Sequence, residues 1–264
     1  MRVLIKLGGA LLDSPESRAR LAQEITQTVR DGTQAVIVHG GGKQMTRYLA
    51  ERGVESRFIN GLRVSTPEVL DAVLKVLAGS VNQELVAALV ACGAAAVGLS
   101  GMDALLTEAL PISDELGAVG KPVHSDARLL NLLLEHSYFP VVACMAGDRQ
   151  GHFYNVNADQ MAVSIAVAIQ ADKLLFLTDV DGVRGKDNVV YSTITLEQSQ
   201  SLIETGVATG GMRAKLESAS EALRAGLSEV VIAPGATPGI VGKLVAGISL
   251  GTRLVVQTEG RNSR

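Results

Sequence analysis

Lys6 closes an apolar, strand-like run at residues 3–5 and is followed almost at once by Gly8 and Gly9. A cation at the carboxyl end of a strand, beside glycines that let an anion approach the backbone, is how α/β proteins build phosphate sites. A second lysine, Lys215, follows another glycine pair, Gly210 and Gly211. Two such lysines can hold a transferring phosphoryl group from two sides. Each also has a plainer reading: Lys6 can snorkel out of a buried strand, and Lys215 can be an ordinary exposed lysine on a helix. The glycines in front of Lys6 favour the anion site.

Other polar positions could join them. Asn155, Asn157 and Asp159 precede an apolar run, residues 161–169. Asn157 suits a helix N-cap and Asp159 the positive end of a helix dipole; a carboxylate at an otherwise apolar helix start also wants cations, which two lysines would supply. Thr178, Asp179, Val180, Asp181, Gly182 and Val183 end a second apolar strand with two carboxylates and a glycine. That block is either a turn or a contact for a nucleotide and its magnesium-phosphate group. Arg63 is either a surface arginine or a fork-shaped donor for a carboxylate. His39, Gly40, Gly41, Gly42 and Lys43 resemble a P-loop but lack its pattern, with Ile at 37 and Gln at 44. The dinucleotide fingerprint G-x-G-x-x-G is missing after the first strand, which argues against a nicotinamide dehydrogenase. Glycine clusters at two successive strand ends are tight turns or an anion-binding edge. Gly41 and Gly42, leading a helix, favour the edge.

The elements that must position these residues alternate. Strand-like runs at 3–6, 35–38, 95–99, 140–143, 173–177, 229–232 and 252–257 end mostly in glycine or small polar residues. Helical patterns fill 15–30, 66–93, 126–135, 158–170, 195–204 and 211–225, with Ser14-Pro15 and Thr66-Pro67 as starts. This alternation predicts a mainly parallel sheet covered by helices on both sides, with ligands at the carboxyl ends of the strands. Residues 147–157 break the rhythm and read as a β-hairpin over that edge. The polar tail, 258–264, reads as a frayed end.

Composition narrows the classes. Lys plus Arg number 24 against 27 Asp plus Glu, a net charge of −3, so no bulk basic surface serves nucleic acid. Aromatics at 3% leave few stacking platforms for single strands. Cys92 and Cys144 have no paired spacing and read as buried free thiols, and the four histidines form no metal-ligand pattern. No leader pattern opens the chain, and no stretch reads as the roughly 20 apolar residues of a membrane span. The expected setting is cytoplasmic.

Taken in order, Lys6 to Gly9, His39 to Gly42, Asn60 to Val64, Asn155 to Gln160, Thr178 to Val183 and Gly210 to Lys215 resemble the amino-acid kinase family. Pairing the His39 glycine cluster with Gly61, Leu62, Arg63 and Val64 points to its acetylglutamate branch. The resemblance implies a three-layer α/β/α sandwich with a mainly parallel central sheet. Residues 1–170 would form an N-terminal lobe for the acyl amino acid and dimerisation, and 171–264 a C-terminal lobe for the nucleotide. Lys6 and Lys215 would stabilise the phosphoryl group in transit, held by Asp159. Gly41, Gly42, Arg63 and Asn155 would bind the acyl substrate, with Arg63 on its α-carboxylate. Gly8, Gly9, Thr178, Asp179, Val180, Asp181, Gly182, Val183, Val207, Ala208 and Thr209 would line the nucleotide site.

The implied reaction is ATP-dependent phosphorylation of the γ-carboxylate of N-acetyl-L-glutamate, in arginine biosynthesis. Mg²⁺ would be carried by the nucleotide and no metal held by the protein alone. A γ-carboxylate, with a reference pKa of about 4.3, is ionised at neutral pH and needs no general base. The alternatives are another acyl-phosphate-forming kinase, acting on N-acetylaminoadipate, glutamate or aspartate, and a non-catalytic amino-acid sensor on the same fold. The implied partners are small-molecule substrates and a second copy in a homodimer, with neither nucleic acid nor membrane. Only five residues precede Lys6, so the N-terminal helix that builds arginine-inhibited hexamers in this family is expected to be missing. The expectation is insensitivity to arginine and assembly no larger than a dimer.

Overall fold

The computed structural model describes residues 1–257; the tail at 258–264 lies outside the described residues. The first half runs β1 (Arg2–Leu7), α1 (Pro15–Arg30), β2 (Gln34–His39), α2 (Gly42–Ala50), β3 (Phe58–Ile59), β4 (Leu62–Arg63), α3 (Pro67–Ala72), α4 (Asn82–Ala91), β5 (Ala96–Ser100), β6 (Thr107–Pro111) and β7 (Val119–Ser125). The remainder runs α5 (Arg128–Glu135), β8 (Phe139–Ala143), β9 (Met145–Gly147), β10 (Phe153–Val156), α6 (Ala158–Ala168), β11 (Lys173–Thr178), β12 (Thr193–Thr195), α7 (Leu196–Glu204), α8 (Gly210–Arg224), β13 (Val230–Pro234), α9 (Ile240–Val245) and β14 (Thr252–Val255).

Continuous apolar runs mark strands buried on both faces. Successive residues of β1, β2, β8 and β11 are buried with almost no alternation. They form the centre of an eight-stranded sheet ordered β12-β14-β13-β11-β1-β2-β8-β5. Every pairing is parallel except β13 with β14. Helices cover both faces: α1 packs on α4 and α9, while α6 packs on α8 and against β1, β2 and β11. The three-layer α/β/α sandwich expected from the sequence is the observed fold.

Register decides what meets at the ligand edge. Leu7 lies beside Leu177 on one side and His39 on the other. The chain therefore leaves three adjacent strands side by side, at Gly8, Gly40 and Thr178. Local signals start the helices as read: Ser14 Oγ accepts from the Ser17 amide (3.1 Å), and Asn157 Oδ1 accepts from those of Asp159 (2.8 Å) and Gln160 (3.3 Å).

Three features depart from the sequence reading. Residues 107–125, left without strands, hold β6 and β7. With the expected hairpin, seen as β9 and β10, they close a small four-stranded sheet. Pro122 and Gly120 inside β7 are the residues that argue against a strand when only sequence is considered. Next, the helical run Pro67–Ala91, 25 residues joined through wider-wound turns at Val73–Val81, is long and apolar enough to cross a membrane. Its α4 segment instead packs on α1, β5 and β8 in the layered domain. Finally, Cys144 is buried but Cys92 only half-buried, because Cys92 caps the end of α4 and packs only on the margin of the core.

Candidate active site

Lys6, the penultimate residue of β1, is held at the sheet edge with only 7% of its surface exposed. An ammonium that dry requires a counter-charge. Asp159, in the first turn of α6, supplies it: Lys6 Nζ lies 2.7 Å from Oδ1. Lys215, from α8, donates to Oδ2 at 3.3 Å. One buried carboxylate thus holds two lysines from opposite ends of the chain. Burial alone would push the Asp159 carboxyl up, but Lys6 and Lys215 outweigh it and hold the group below the usual carboxylate range.

A cleft of about 670 Å³ opens in front of the lysines. Lys6, Gly8, Gly9, Gly42, Lys43 and Arg63 are on its wall, with Thr178, Asp179 and Lys215 completing the far side. The two glycine turns are packed backbone against backbone. A Cβ on Gly9 would stand 3.1 Å from the Gly42 nitrogen, and one on Gly41 only 2.5 Å from Leu77 Cδ2. Among the described residues, no backbone carbonyl accepts from the amides of Gly41 or Gly42. Such unpaired amides at a helix start attract anions.

The Arg63 guanidinium is fixed before any ligand arrives. It donates through Nη1 to Ser56 Oγ, and through Nη2 to Thr46 Oγ1 (2.8 Å) and the Gly42 carbonyl (3.2 Å), and lies 4.7 Å over the Phe58 ring. Partial burial lowers its pKa. Asn155 donates to Ser65 Oγ (3.0 Å), which donates to the Arg63 carbonyl (3.0 Å), so Asn155 is tied to the strand carrying Arg63.

The other sequence candidates divide. Thr178 Oγ1 donates to Asp179 Oδ1 at 3.1 Å, and both residues face the cleft. Val183 is completely buried and its amide donates to Thr252 Oγ1 at 2.8 Å, while Gly182 has φ 147° and no room for a side chain. Asp181 pairs with Arg184 at 2.7 Å. Ala208 is buried and Thr209 is the N-cap of α8. Among the described residues, the cleft wall includes none of Gly41, Asn155 and Asp159, nor residues 180–183 and 207–209; Gly41 and Asp159 are buried, and the others frame the loops behind it. Sequence reasoning missed Thr46 and Phe58, and weighed Lys43 only as part of a failed P-loop. Helical spacing in α2 places Lys43, Thr46 and Arg47 on one side, a signal available once Gly42 is taken as the helix start.

Two further groups bear on the chemistry. The Cys144 thiol is pushed up to about 11 by burial, so it fills space rather than acting as a nucleophile. Among the described residues, no cluster of three His, Cys, Asp or Glu side chains could hold a metal ion.

Paired lysines on a buried aspartate, facing glycine turns at the carboxyl edge of an α/β/α sandwich, define a phosphotransferase-type architecture. The comparisons with known proteins agree. The model of the amino acid kinase family matches residues 1–234, and the chain belongs to that family. It is 56% identical over 255 residues to the acetylglutamate kinase of Solibacter usitatus, covering 97% of this chain and 99% of that one. The acetylglutamate kinase of Acidobacterium capsulatum is 46% identical over 236 residues, 89% of this chain and 91% of that relative. Among solved structures, N-acetylglutamate synthase from Neisseria gonorrhoeae, complexed with coenzyme A and N-acetyl-glutamate, superposes with a TM-score of 0.85. Its identity is 27%, over 98% of this chain and 60% of that one.

Proposed function

We propose that this protein phosphorylates the γ-carboxylate of N-acetyl-L-glutamate at the expense of ATP, giving N-acetyl-L-glutamyl 5-phosphate and ADP, a step of arginine biosynthesis. The observation that carries the reading is the Lys6–Asp159–Lys215 arrangement facing two glycine turns. Relatives bearing the name acetylglutamate kinase, at high identity over nearly the whole chain, support the substrate.

A carboxylate oxygen attacks the γ-phosphorus in line, and the bond from that phosphorus to the β,γ-bridging oxygen breaks. No proton has to be removed from the acceptor, so positioning and charge stabilisation carry the catalysis. In this reading Lys6 and Lys215 meet the non-bridging oxygens of the group in transit, and Asp159 keeps the two ammonium groups together. Arg63 takes the α-carboxylate, the amides of Gly41 and Gly42 face the acyl substrate, and Asn155 braces the Arg63 strand from behind. Gly8, Gly9 and residues 178–183, with 207–209 leading into α8, form the nucleotide side. In this reading residues 1–170 hold the acyl amino acid and lend Gly8 and Gly9 to the nucleotide, while 171–264 supply the rest of the ATP side.

Mg²⁺ fits as a companion of the nucleotide. Asp179 is a single carboxylate on the cleft wall, and Mg²⁺ commonly binds through one carboxylate plus substrate phosphates. Bound there it would neutralise phosphate charge. For assembly, a homodimer is the reading: β5 is a half-exposed edge strand, and Val90 on the adjoining α4 is 53% exposed. A cytoplasmic setting suits a biosynthetic enzyme.

The test is ADP release with N-acetyl-L-glutamate, N-acetylaminoadipate, glutamate and aspartate as separate acceptors, with light scattering for the mass. N-acetyl-L-glutamate is expected to give the highest kcat/KM. Preference for another acid moves the substrate, and turnover of none leaves a sensor.

A further inference from the structure

His39 is the last residue of β2 and no part of it reaches solvent. The reaction proposed above requires no histidine, yet this ring is hydrogen-bonded at both nitrogens. Nδ1 lies 3.0 Å from the Gly40 carbonyl and Nε2 lies 3.0 Å from Asn82 Nδ2. The orientation of the Asn82 amide is set independently, because the same Nδ2 lies 3.0 Å from the Val141 carbonyl, which can only accept. Asn82 is itself 1% exposed, and Gly98 packs against its Oδ1 so closely that a Cβ would come within 2.2 Å. With Nδ2 donating, Nε2 must accept. A neutral ring that accepts on Nε2 carries its proton on Nδ1, and that proton points to the Gly40 carbonyl. Burial lowers the His39 pKa to about 4, so the ring is neutral at pH 7.

The consequence lies one bond further on. In a trans peptide the carbonyl of Gly40 and the amide of Gly41 belong to one rigid plane and point in opposite directions. Fixing the Gly40 oxygen against His39 therefore fixes the direction of the Gly41 N–H. The next peptide is fixed by the helix itself: the Gly41 carbonyl accepts from the Met45 amide at 2.8 Å, which sets the direction of the Gly42 N–H, and among the described residues the amides of Gly41 and Gly42 are left without a backbone acceptor. Glycine at these positions brings little conformational preference of its own; for the Gly41 amide the constraint comes from the His39 side chain.

We propose that His39, with its proton on Nδ1 and its Nε2 held by Asn82, is a positioning residue that aims the Gly41 amide at the acyl substrate. The proposal rests on the reading that this turn binds the acceptor rather than the nucleotide. It gives the buried histidine a part in the reaction without contact with the reacting atoms.

The tautomer is tested in the wild-type protein by nitrogen NMR of labelled histidine at pH 7, with the His39 signal assigned by its loss in His39→Asn. The Nδ1-protonated neutral ring is expected; an Nε2-protonated ring or an imidazolium overturns the proposal. Kinetics test the consequence. His39→Leu should raise KM for the acceptor by about tenfold, the scale of an unpaired buried carbonyl, with kcat and KM for ATP within about twofold. His39→Asn, whose side-chain amide can donate to the Gly40 carbonyl, should restore most of that loss. An unchanged acceptor KM in the leucine variant, equal rises for acceptor and ATP, or no difference between the two variants would each overturn the proposal. If His39→Leu does not fold, the tautomer decides. If the wild-type enzyme prefers another acid, the substrate reading fails alone, and the same comparison is made with that acid.

Discussion

At the scale of single residues, substitutions at Asp159 and Arg63 test the proposed division between catalysis and binding. Asp159 is 5% exposed and is the shared counter-charge for Lys6 and Lys215. Asp159→Asn keeps its size but leaves two ammonium groups facing each other with less compensation. Removing one partner of a buried pair typically costs about 3–5 kcal/mol. The variant is expected to lose kcat by on the order of a hundredfold while KM for the acceptor moves much less, measured by steady-state kinetics. Full activity would reduce Asp159 to a helix-start residue. Arg63 is already held by Ser56, Thr46 and the Gly42 carbonyl, so its fork is oriented before substrate arrives. Arg63→Leu should raise KM for the acceptor about ten- to a hundredfold, from about 1.5–3 kcal/mol of lost charge-assisted bonding, and leave KM for ATP nearly constant. Equal rises would place Arg63 outside the acyl pocket.

At the scale of elements, the site depends on how closely the α2 start approaches the long helical run behind it. Gly41 has φ −179°, outside the left-handed region, so what decides the fate of alanine there is the space around its methyl. It meets Leu77, 4% exposed, whose Cδ2 would be 2.5 Å from the new methyl. Overpacking of this kind costs about 1–3 kcal/mol. Gly41→Ala should lower the denaturant midpoint accordingly, and Leu77→Ala in the same chain should return part of the loss, since the two residues compete for one space. Strict additivity in that double variant would mean the clash is relieved elsewhere.

At the scale of the whole molecule, the buried ionisable groups set how the fold responds to acid. The His39 pKa falls from 6.5 to about 4 in the folded chain, through burial. Between those values the unfolded chain binds the extra proton, so stability is full above about pH 6.5 and is lost as pH falls towards 4, by up to about 3 kcal/mol. Asp159, held below the usual carboxylate range, adds a loss in the same direction at lower pH. Denaturant midpoints at pH 7 and pH 4.5 should therefore drop more in the wild type than in His39→Asn, which has no proton to gain. Parallel drops would show that other groups dominate the acid response.

Much of this protein is settled by residues acting on their near neighbours. Unbroken apolar runs such as Val3 to Ile5 require strands covered on both faces, Ser14 and Asn157 start helices, and Lys6 before Gly8 and Gly9 puts a cation at a strand end beside glycines. These signals are local, and they yielded the sandwich, its ligand edge and the lysine–aspartate set. Residues 107–125 stayed unread because Gly120 and Pro122 oppose a strand until β6 and β10 pair with β7. Only the folded chain could place Lys43 and Phe58 on the cleft wall, move Asn155 and Val183 behind it, and join His39 to Asn82 and Gly40. Those contacts depend on strand register and helix packing between segments far apart in the chain. Periodicity and capping reach only a few residues, so they carry no information about which distant side chains the sheet brings together.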